Sequence, residues 1–449
     1  MTTGQQPGLF GGPIYSWSKA ISALALADML EKATGIPTAP LFWAATDDAD
    51  YAEASVTYVA TRTGLRELRL PPALRDNASM AEQPLGNATP LIDALAAAAG
   101  SAAHDAPLSV VREAYTQSTT VGEAYVTLMR RMLEPLGIPV LDASHVSVRR
   151  ASRSLLSLAL RHASELDAAL VDREAALRAA GHEPQVSHVP DLSLVFEYVT
   201  GTKHRVPVRR AHEVARREDA ALGPNVLLRP ILERVLVPTV AYAAGPGELA
   251  YFAQVNVLAS ILGAPAPLAV PRWSGLIIEP YVDRILTKYD LNIDELREPH
   301  AVLKRLVAQR IPGGVTRSLA DMRDALHRAL DALRGALAQD ARALVEDRVV
   351  EGAEGQLMHR VDRLERRVLA AAKRRESELT ERVEAATAAL HPMGRPQERV
   401  LNFLPILVRE GPALLDTIRQ AAETHAASLI QPPSGVTGAS DHRAAPIAT

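Results

Sequence analysis

The chain has 449 residues, 47% of them apolar and 22% charged, with a formal net charge of −3 and no cysteine. A chain of this length buries a substantial core and has room for roughly two or three domains. The lack of cysteine excludes disulfides, thiolate metal sites and catalysis through an enzyme thiol, and the interspersed charges offer no basic face to nucleic acid. There is no run of about eighteen apolar residues to span a membrane, and Met1-Thr2-Thr3-Gly4 lacks the basic and apolar regions of a signal peptide, so a cytoplasmic protein is expected.

The first fifty residues carry the densest chemistry. TGQQPGLFGGP (3–13) is a glycine-rich loop, and the helix predicted over 15–33 aims its free N–H groups back at it, an arrangement that attracts anions. Ile21, Leu24, Leu26, Met29 and Leu30 form its apolar face; Lys19, Asp28, Glu31 and Lys32 are assigned to solvent, and Gly35 stops it. Lys19, one or two turns in, is either a solvated surface lysine or a cation that neutralises an anion held by the loop. PLFWAA (40–45) reads as a buried parallel strand, which puts Asp47, Asp48 and Asp50 at its carboxyl end, where open α/β sheets bind ligands. Those carboxylates could hold Mg²⁺, bind an amine or hydroxyls, act as a general base, or be ordinary loop surface. A loop of this kind normally follows a strand. Only Met1 and Thr2 precede Thr3, so that strand is expected to be missing and the chain to be truncated or begun too late.

Residues 60–110, with Pro71-Pro72 and the alanine-rich 96–103, read as an insertion with one or two helices. A helix is predicted over 112–134, a strand over 138–142 that puts Asp142 and Ser144 on the same sheet edge, a long helix over 148–180 and a strand at 192–199. His182, His188 and His204 lack the spacing of a metal-binding helix pair and are read as ordinary polar positions. LGPN (222–225) predicts a turn, Arg229-Pro230 a helix start, and 237–244 a buried strand running into Gly245-Pro246-Gly247-Glu248 and a helix over 249–262. Glu248 suits a helix start through the macrodipole alone; alternatively Gly245 and Gly247 admit a ligand that Glu248 and Tyr242 orient. Arg229 is a candidate for a bidentate carboxylate or phosphate contact, and Arg272 is a cationic edge residue.

Beyond 312 the composition shifts to Ala, Leu, Arg, Glu and Asp. Leu319, Met322, Leu326, Leu330, Leu333, Leu337 and Leu344 form one apolar stripe, Leu357, Val361, Leu364 and Val368 a second, whose phase slips near Arg375. Two long antiparallel helices follow from this, to be covered by a third over 397–426 or by a second subunit. Residues 431–449 are polar and turn-rich, hence expected to be disordered.

The run TGQQPGLFGGPIYSWSKAIS, with PLFWAATDDAD after it, resembles the N-terminal signature of the bacillithiol biosynthesis cysteine-adding enzyme family, also called cysteine ligases. NVLLRP (225–230), PTVAYAAGPGE (238–248) and PQERVLN (396–402) with Gly411-Pro412 agree in the same order, up to about Arg419. The resemblance implies a Rossmann-like parallel-sheet core, like that of class I nucleotidyltransferases, over 1–312 with helical insertions at about 60–135 and 148–235. It also implies a helical coiled-coil domain over 313–430 that supports a homodimer. The activity implied is amide-bond formation between L-cysteine and glucosaminyl malate, the last step of bacillithiol synthesis. Activating a carboxylate without an enzyme thiol requires ATP or another nucleotide with Mg²⁺, although no G-x-x-x-x-G-K-[ST] loop is present. Carried onto this sequence, Thr3, Gly4, Gln5, Gln6, Gly8 and Lys19 would cradle an anionic group, and Asp48 and Asp50, with Asp47 beside them, would bind the amine or a metal. Asn225, Arg229, Gly245, Gly247 and Glu248 would hold the second substrate. The family pattern Glu-Asp-His-Asp reads Asp47-Asp48-Ala49-Asp50 here. Ala49 and the missing first strand leave open a catalytically degenerate coiled-coil dimer with a nucleotide- or anion-binding α/β head; a related amino-acid ligase with another amine acceptor is a further alternative.

Overall fold

The computed structural model describes residues 1–100, 104–339, 345–430 and 446–448. They form two compact units: one of Met1–Ala60, Arg66–Glu279 and the segment from Arg395 onward, the other of Thr61–Leu65 and Pro280–Gly394. Among the described residues no helix is long and apolar enough to cross a membrane.

In the first unit β1 (Thr2–Gln5) leads to α1 (Ile14–Thr34), β2 (Leu41–Ala44), the single turn α2 (Tyr51–Ala54) and the paired strands β3 (Val56–Thr61) and β4 (Gly64–Arg69). Helices α3 (Thr89–Ala99), α4 (Ala106–Ala114) and α5 (Val121–Leu133) precede β5 (Val140–Asp142), after which come α6 (Val146–Arg161) and α7 (Ala163–Ala179). Then follow β6 (Leu192–Val199), β7 (Thr202–Pro207), α8 (Ala211–Arg216), β8 (Ala221–Pro224), α9 (Arg229–Leu236), β9 (Tyr242–Ala244), α10 (Pro246–Ile261), β10 (Ala269–Pro271) and β11 (Leu276–Ile278). Five of the strands make a parallel sheet in the order β10-β9-β1-β2-β5. From β1 the chain builds outward through β2 to β5, then returns to the other side of β1 for β9 and β10. The reversal between β1 and β9 opens a crevice at the carboxyl ends of the strands.

The strand expected to be missing ahead of the glycine loop is β1 itself. Its Gly4 reads as a turn residue, but a Cβ there would lie 2.8 Å from the Trp43 carbonyl oxygen, so close packing against β2 requires the glycine. Two helices are shorter than predicted. The one over 112–134 is interrupted before α5, where the Thr120 hydroxyl accepts from the Glu123 N–H at 3.1 Å and the Glu123 carboxylate accepts from the Thr120 N–H at 2.9 Å, a reciprocal cap that starts a new helix. The one over 148–180 is broken at His162. The region 148–235, expected as a helical insertion with a strand at 192–199, holds that strand as β6 within an antiparallel sheet of order β7-β6-β8, and the predicted turn 222–225 falls largely within β8.

The second unit contains α11 (Pro280–Tyr289), α12 (Pro299–Ala308), α13 (Gly313–Ala338), α14 (Asp347–Arg375) and α15 (Ser377–Leu390). Arg323 donates to Asp362 at 2.6 Å and Glu365 at 3.1 Å, while Arg334, one helix end further on, reaches back to Glu354. These pairs make α13 and α14 antiparallel. The phase slip near Arg375 is the break between α14 and α15. Leu330, Val350 and Val361 are buried, but Met322, Leu333, Leu357 and Leu364 remain exposed; Leu344 and 101–103 lie outside the described residues.

The segment expected as the arm's third helix instead belongs to the first unit, as α16 (Leu404–Glu410) and α17 (Ala413–Ile430), with Gly411 at φ 77° between them. Asn402, 1% exposed, shares its amide N–H groups among the carbonyls of Leu9, Phe10 and Gly12 at 3.2, 3.0 and 3.3 Å. The C-terminal motif thereby clamps the N-terminal glycine loop. Of the tail, 431–445 and 449 lie outside the described residues, and β12 (Pro446–Ala448) pairs in parallel with β11.

Candidate functional site

The ends of β1, β2 and β9 converge on a cavity of about 1060 Å³. Gly4, Gln5 and Gln6 enter it from β1, Asp47 and Asp48 from beyond β2, and Gly245, Gly247 and Glu248 from the turn between β9 and α10. Asn225 comes from the turn between β8 and α9, Arg229 from the start of α9, Lys203 and Arg205 from β7, and Arg395 and Arg399 from the turn before α16.

The floor of this cavity is a closed set of charges. Lys19, 2% exposed, lies 2.8 Å from the Glu248 carboxylate, donates to Gln5 Oε1 at 3.1 Å and also donates to the Gly4 carbonyl. It is therefore not the solvent-facing residue of the helical pattern: three acceptors inside the protein use its three protons. Arg229 donates to Glu233 at 3.1 Å and to the hydroxyls of Tyr242 and Tyr251 at 3.2 and 3.1 Å. Tyr242 in turn donates to Glu248 at 2.7 Å and accepts from the Gly4 N–H at 3.0 Å. The Gly245 N–H, at the start of α10, donates to Glu248 at 2.8 Å. Burial opposes the charged form of Glu248, but Lys19, Arg229 and the hydrogen bonds outweigh it and hold its carboxyl below the usual carboxylate range. Burial pushes the Tyr251 hydroxyl up to about 12 and raises Glu233 above its ordinary value.

The walls are less fully paired. Lys203 Nζ lies 3.5 Å from Asp48 and 4.5 Å from the centre of the Phe196 ring. The Arg205 Nε donates to the Ser193 carbonyl at 2.7 Å. Burial raises the Asp47 carboxyl, against the pull of Lys203. Glu53, on α2, lines the same space; burial and then the neighbouring Asp50 and Asp48 push its carboxyl up, with hydrogen bonds from Gln6 and Tyr15 acting the other way.

Of the residues singled out in the sequence, Gly4, Gln5, Gln6, Lys19, Asp47, Asp48, Asn225, Arg229, Gly245, Gly247 and Glu248 meet around the cavity. Thr3, Gly8 and Asp50 do not line it. The Thr3 hydroxyl donates to the Ala243 carbonyl at 2.8 Å, tying β1 to β9. A Cβ on Gly8 would lie 2.7 Å from Gly12 Cα, so its glycine serves the fold of the loop. Asp50 is exposed and caps α2, accepting from the Glu53 N–H at 3.0 Å, a bond that accounts for an acid at that position without a ligand. Asn225 closes the turn ahead of α9, its Oδ1 accepting from the Leu228 N–H at 2.9 Å. Asp142 accepts from the Ser144 N–H at 2.9 Å and from the Thr46 hydroxyl, joining the ends of β5 and β2 away from the cavity.

Tyr15, Glu53, Lys203, Arg205, Tyr251, Arg395 and Arg399 were not singled out, yet all line the cavity. Two signals pointed to some of them: Lys203 and Arg205 alternate on one face of a strand, and Arg395 and Arg399 bracket the PQE turn at four-residue spacing.

Comparison with known proteins gives a consistent result along the chain. The family model "Bacillithiol biosynthesis BshC, N-terminal Rossmann-like domain" matches residues 1–273, and "Bacillithiol biosynthesis BshC, C-terminal coiled-coil domain" matches 275–428. The relative named "Putative cysteine ligase BshC" from Koribacter versatilis is 32% identical over 94% of this chain and 82% of its own length. Those of the same name from Solibacter usitatus and Geobacillus thermodenitrificans are 31% and 27% identical, over 92% and 91% of this chain and 80% and 79% of their own lengths.

Proposed function

The chain belongs to the bacillithiol biosynthesis BshC family, and we propose that it is a cysteine ligase that joins the carboxyl group of L-cysteine to the amine of glucosaminyl malate. The observation that carries this reading is the cavity at the point where the sheet reverses its strand order: it is large enough for two small polar substrates and is lined by both carboxylates and cations.

Amide formation needs an amine stripped of its proton and a carboxyl carbon made reactive. Glu53 and Asp47, carboxyls raised by burial, suit the first requirement, since a less acidic carboxylate holds a proton taken from an ammonium more readily. Gln5 Nε2 donates to the Tyr15 hydroxyl at 3.0 Å, which orients that hydroxyl on the same side of the cavity as Glu53. The Lys19–Glu248 pair fixes the Gly4 carbonyl and the Gly245 turn, so the edges of β1 and β9 present a rigid floor.

The residues also fit a nucleotide with Mg²⁺. Arg205 keeps guanidinium N–H groups beyond the one given to Ser193, Lys203 stands beside them, and the Asp48 carboxylate offers oxygens to a hard cation. Such a nucleotide would supply the leaving group that makes a free carboxylate reactive. The exposed Met322, Leu333, Leu357 and Leu364 of α13 and α14 support a homodimer through the helical unit. Ala49, where the family pattern has His, leaves as second reading a chain that has lost the ligase activity.

Mass spectrometry of low-molecular-weight thiols in the source cells, with and without the gene, tests the proposal. Deletion is expected to abolish bacillithiol and accumulate glucosaminyl malate, both restored by the gene. An unchanged thiol pool in cells shown to make bacillithiol would refute it.

A further inference from the structure

We propose that Arg395 and Arg399 form a dicarboxylate-binding subsite on the C-terminal wall of the cavity. The turn that carries them is held from the inside. Gln397, 2% exposed, accepts from the Ile277 N–H at 2.9 Å and donates to the Ile277 carbonyl at 2.8 Å, pairing with the backbone as a neighbouring strand would. Glu398, 7% exposed, takes both terminal nitrogens of Arg272, at 2.8 and 2.6 Å, and the Ser274 hydroxyl at 2.9 Å. Asn402 then locks the following residues to the glycine loop. With the inner side of the turn anchored at three places, the two remaining long side chains, Arg395 and Arg399, line the cavity.

Charge accounting leaves three of the cavity's cations without a carboxylate among the described residues; Arg205 gives its Nε to the Ser193 carbonyl, and the other two are Arg395 and Arg399. Seven cationic side chains line the cavity against four carboxylates. Lys19 is paired with Glu248, Arg229 with Glu233, Arg272 with Glu398 and Lys203 with Asp48. Among the described residues neither Arg395 nor Arg399 is within reach of a carboxylate, and the acid between them in sequence, Glu398, is spent on Arg272. Each guanidinium presents a planar pair of donors that matches one carboxylate. Two such forks on one rigid turn match a small molecule with two carboxylates a few ångströms apart. The subsite rests on the ligase reading in one respect: the acceptor named there is a glycoside of malate, whose two carboxylates are spectators of the reaction and available as a handle.

The experiment is calorimetric titration of the full-length protein with L-malate, and in parallel with L-lactate, inorganic phosphate and ATP with Mg²⁺. It compares wild type, Arg395→Gln/Arg399→Gln and Arg395→Lys/Arg399→Lys, each checked for a cooperative unfolding transition. Wild type should bind malate more tightly than lactate, and the glutamine pair should bind malate at least about tenfold more weakly, from the loss of charge-assisted hydrogen bonds. The lysine pair should fall between, and ATP affinity should be unchanged across all three. Failure of wild type to bind malate, equal malate affinity in the glutamine pair, or an equal or larger loss of phosphate or ATP affinity would overturn the subsite. Malate binding requires no ligation. A protein with this pattern that forms no cysteinyl product would thus refute the ligase reading and keep the subsite, and the converse result would do the opposite.

Discussion

The floor and the C-terminal wall of the cavity are both built of charged residues, and they use charge in opposite ways. On the floor Lys19, Arg229, Glu233 and Glu248 are buried or nearly so, and each is paired inside the protein. Charges taken out of water must find partners at once, because desolvation costs several kcal/mol per ion. On the wall Arg395 and Arg399 remain solvated and unpaired among the described residues, while the uncharged and paired residues between them hold the turn. The buried charges therefore set geometry, and the exposed ones are left to meet a ligand.

Breaking the floor should give the largest effect. Lys19→Met leaves Glu248 and the Gly4 carbonyl without their main partner and is expected to destabilise the first unit by about 3–5 kcal/mol in denaturant unfolding. The same pair sets a pH dependence. Because the folded-state carboxyl of Glu248 lies below its unfolded value, its contribution to stability is present above about pH 4.3 and is lost as pH falls through the lower folded value. Glu248→Gln should flatten that acid limb; an unchanged limb would place the acid sensitivity elsewhere.

A smaller loss is expected where the floor is tied to the wall. Asn402→Ala removes the donor shared by three loop carbonyls and should cost about 1–3 kcal/mol, with faster hydrogen exchange in residues 8–13 than elsewhere in the unit. Smallest of all, Arg395→Gln/Arg399→Gln should leave the unfolding midpoint nearly unchanged, within about 0.5 kcal/mol, as for surface positions. A loss as large as that of Lys19→Met would erase the distinction between the two regions.

Much of this fold is legible in the residues. The apolar run around Phe42 and Trp43, the glycine that ends α1 at Gly35 and the heptad slip at Arg375 each report a local rule obeyed locally. The site was partly legible for the same reason: Asp47, Asp48 and Gly245 to Glu248 follow strands, and strand ends in an open parallel sheet face the ligand side. Asp50 stayed open between ligand and loop residue because an acid cluster after a strand looks the same whether it faces a cavity or caps the next helix. Lys19 read as solvent-facing because its counter-ion is 229 residues away, on another helix.

Sequence alone therefore determined the family, the glycine loop, the alternation of strand and helix and the composition of the helical unit, all of which rest on interactions between near neighbours or on motifs kept together. Only the tertiary structure decided that TTGQ is the central strand, since a four-residue strand becomes one through its partners on both sides. It likewise decided that 395–430 belongs to the first unit and which cations are paired. Ion pairing depends on distances between elements, and no local pattern along the chain encodes them.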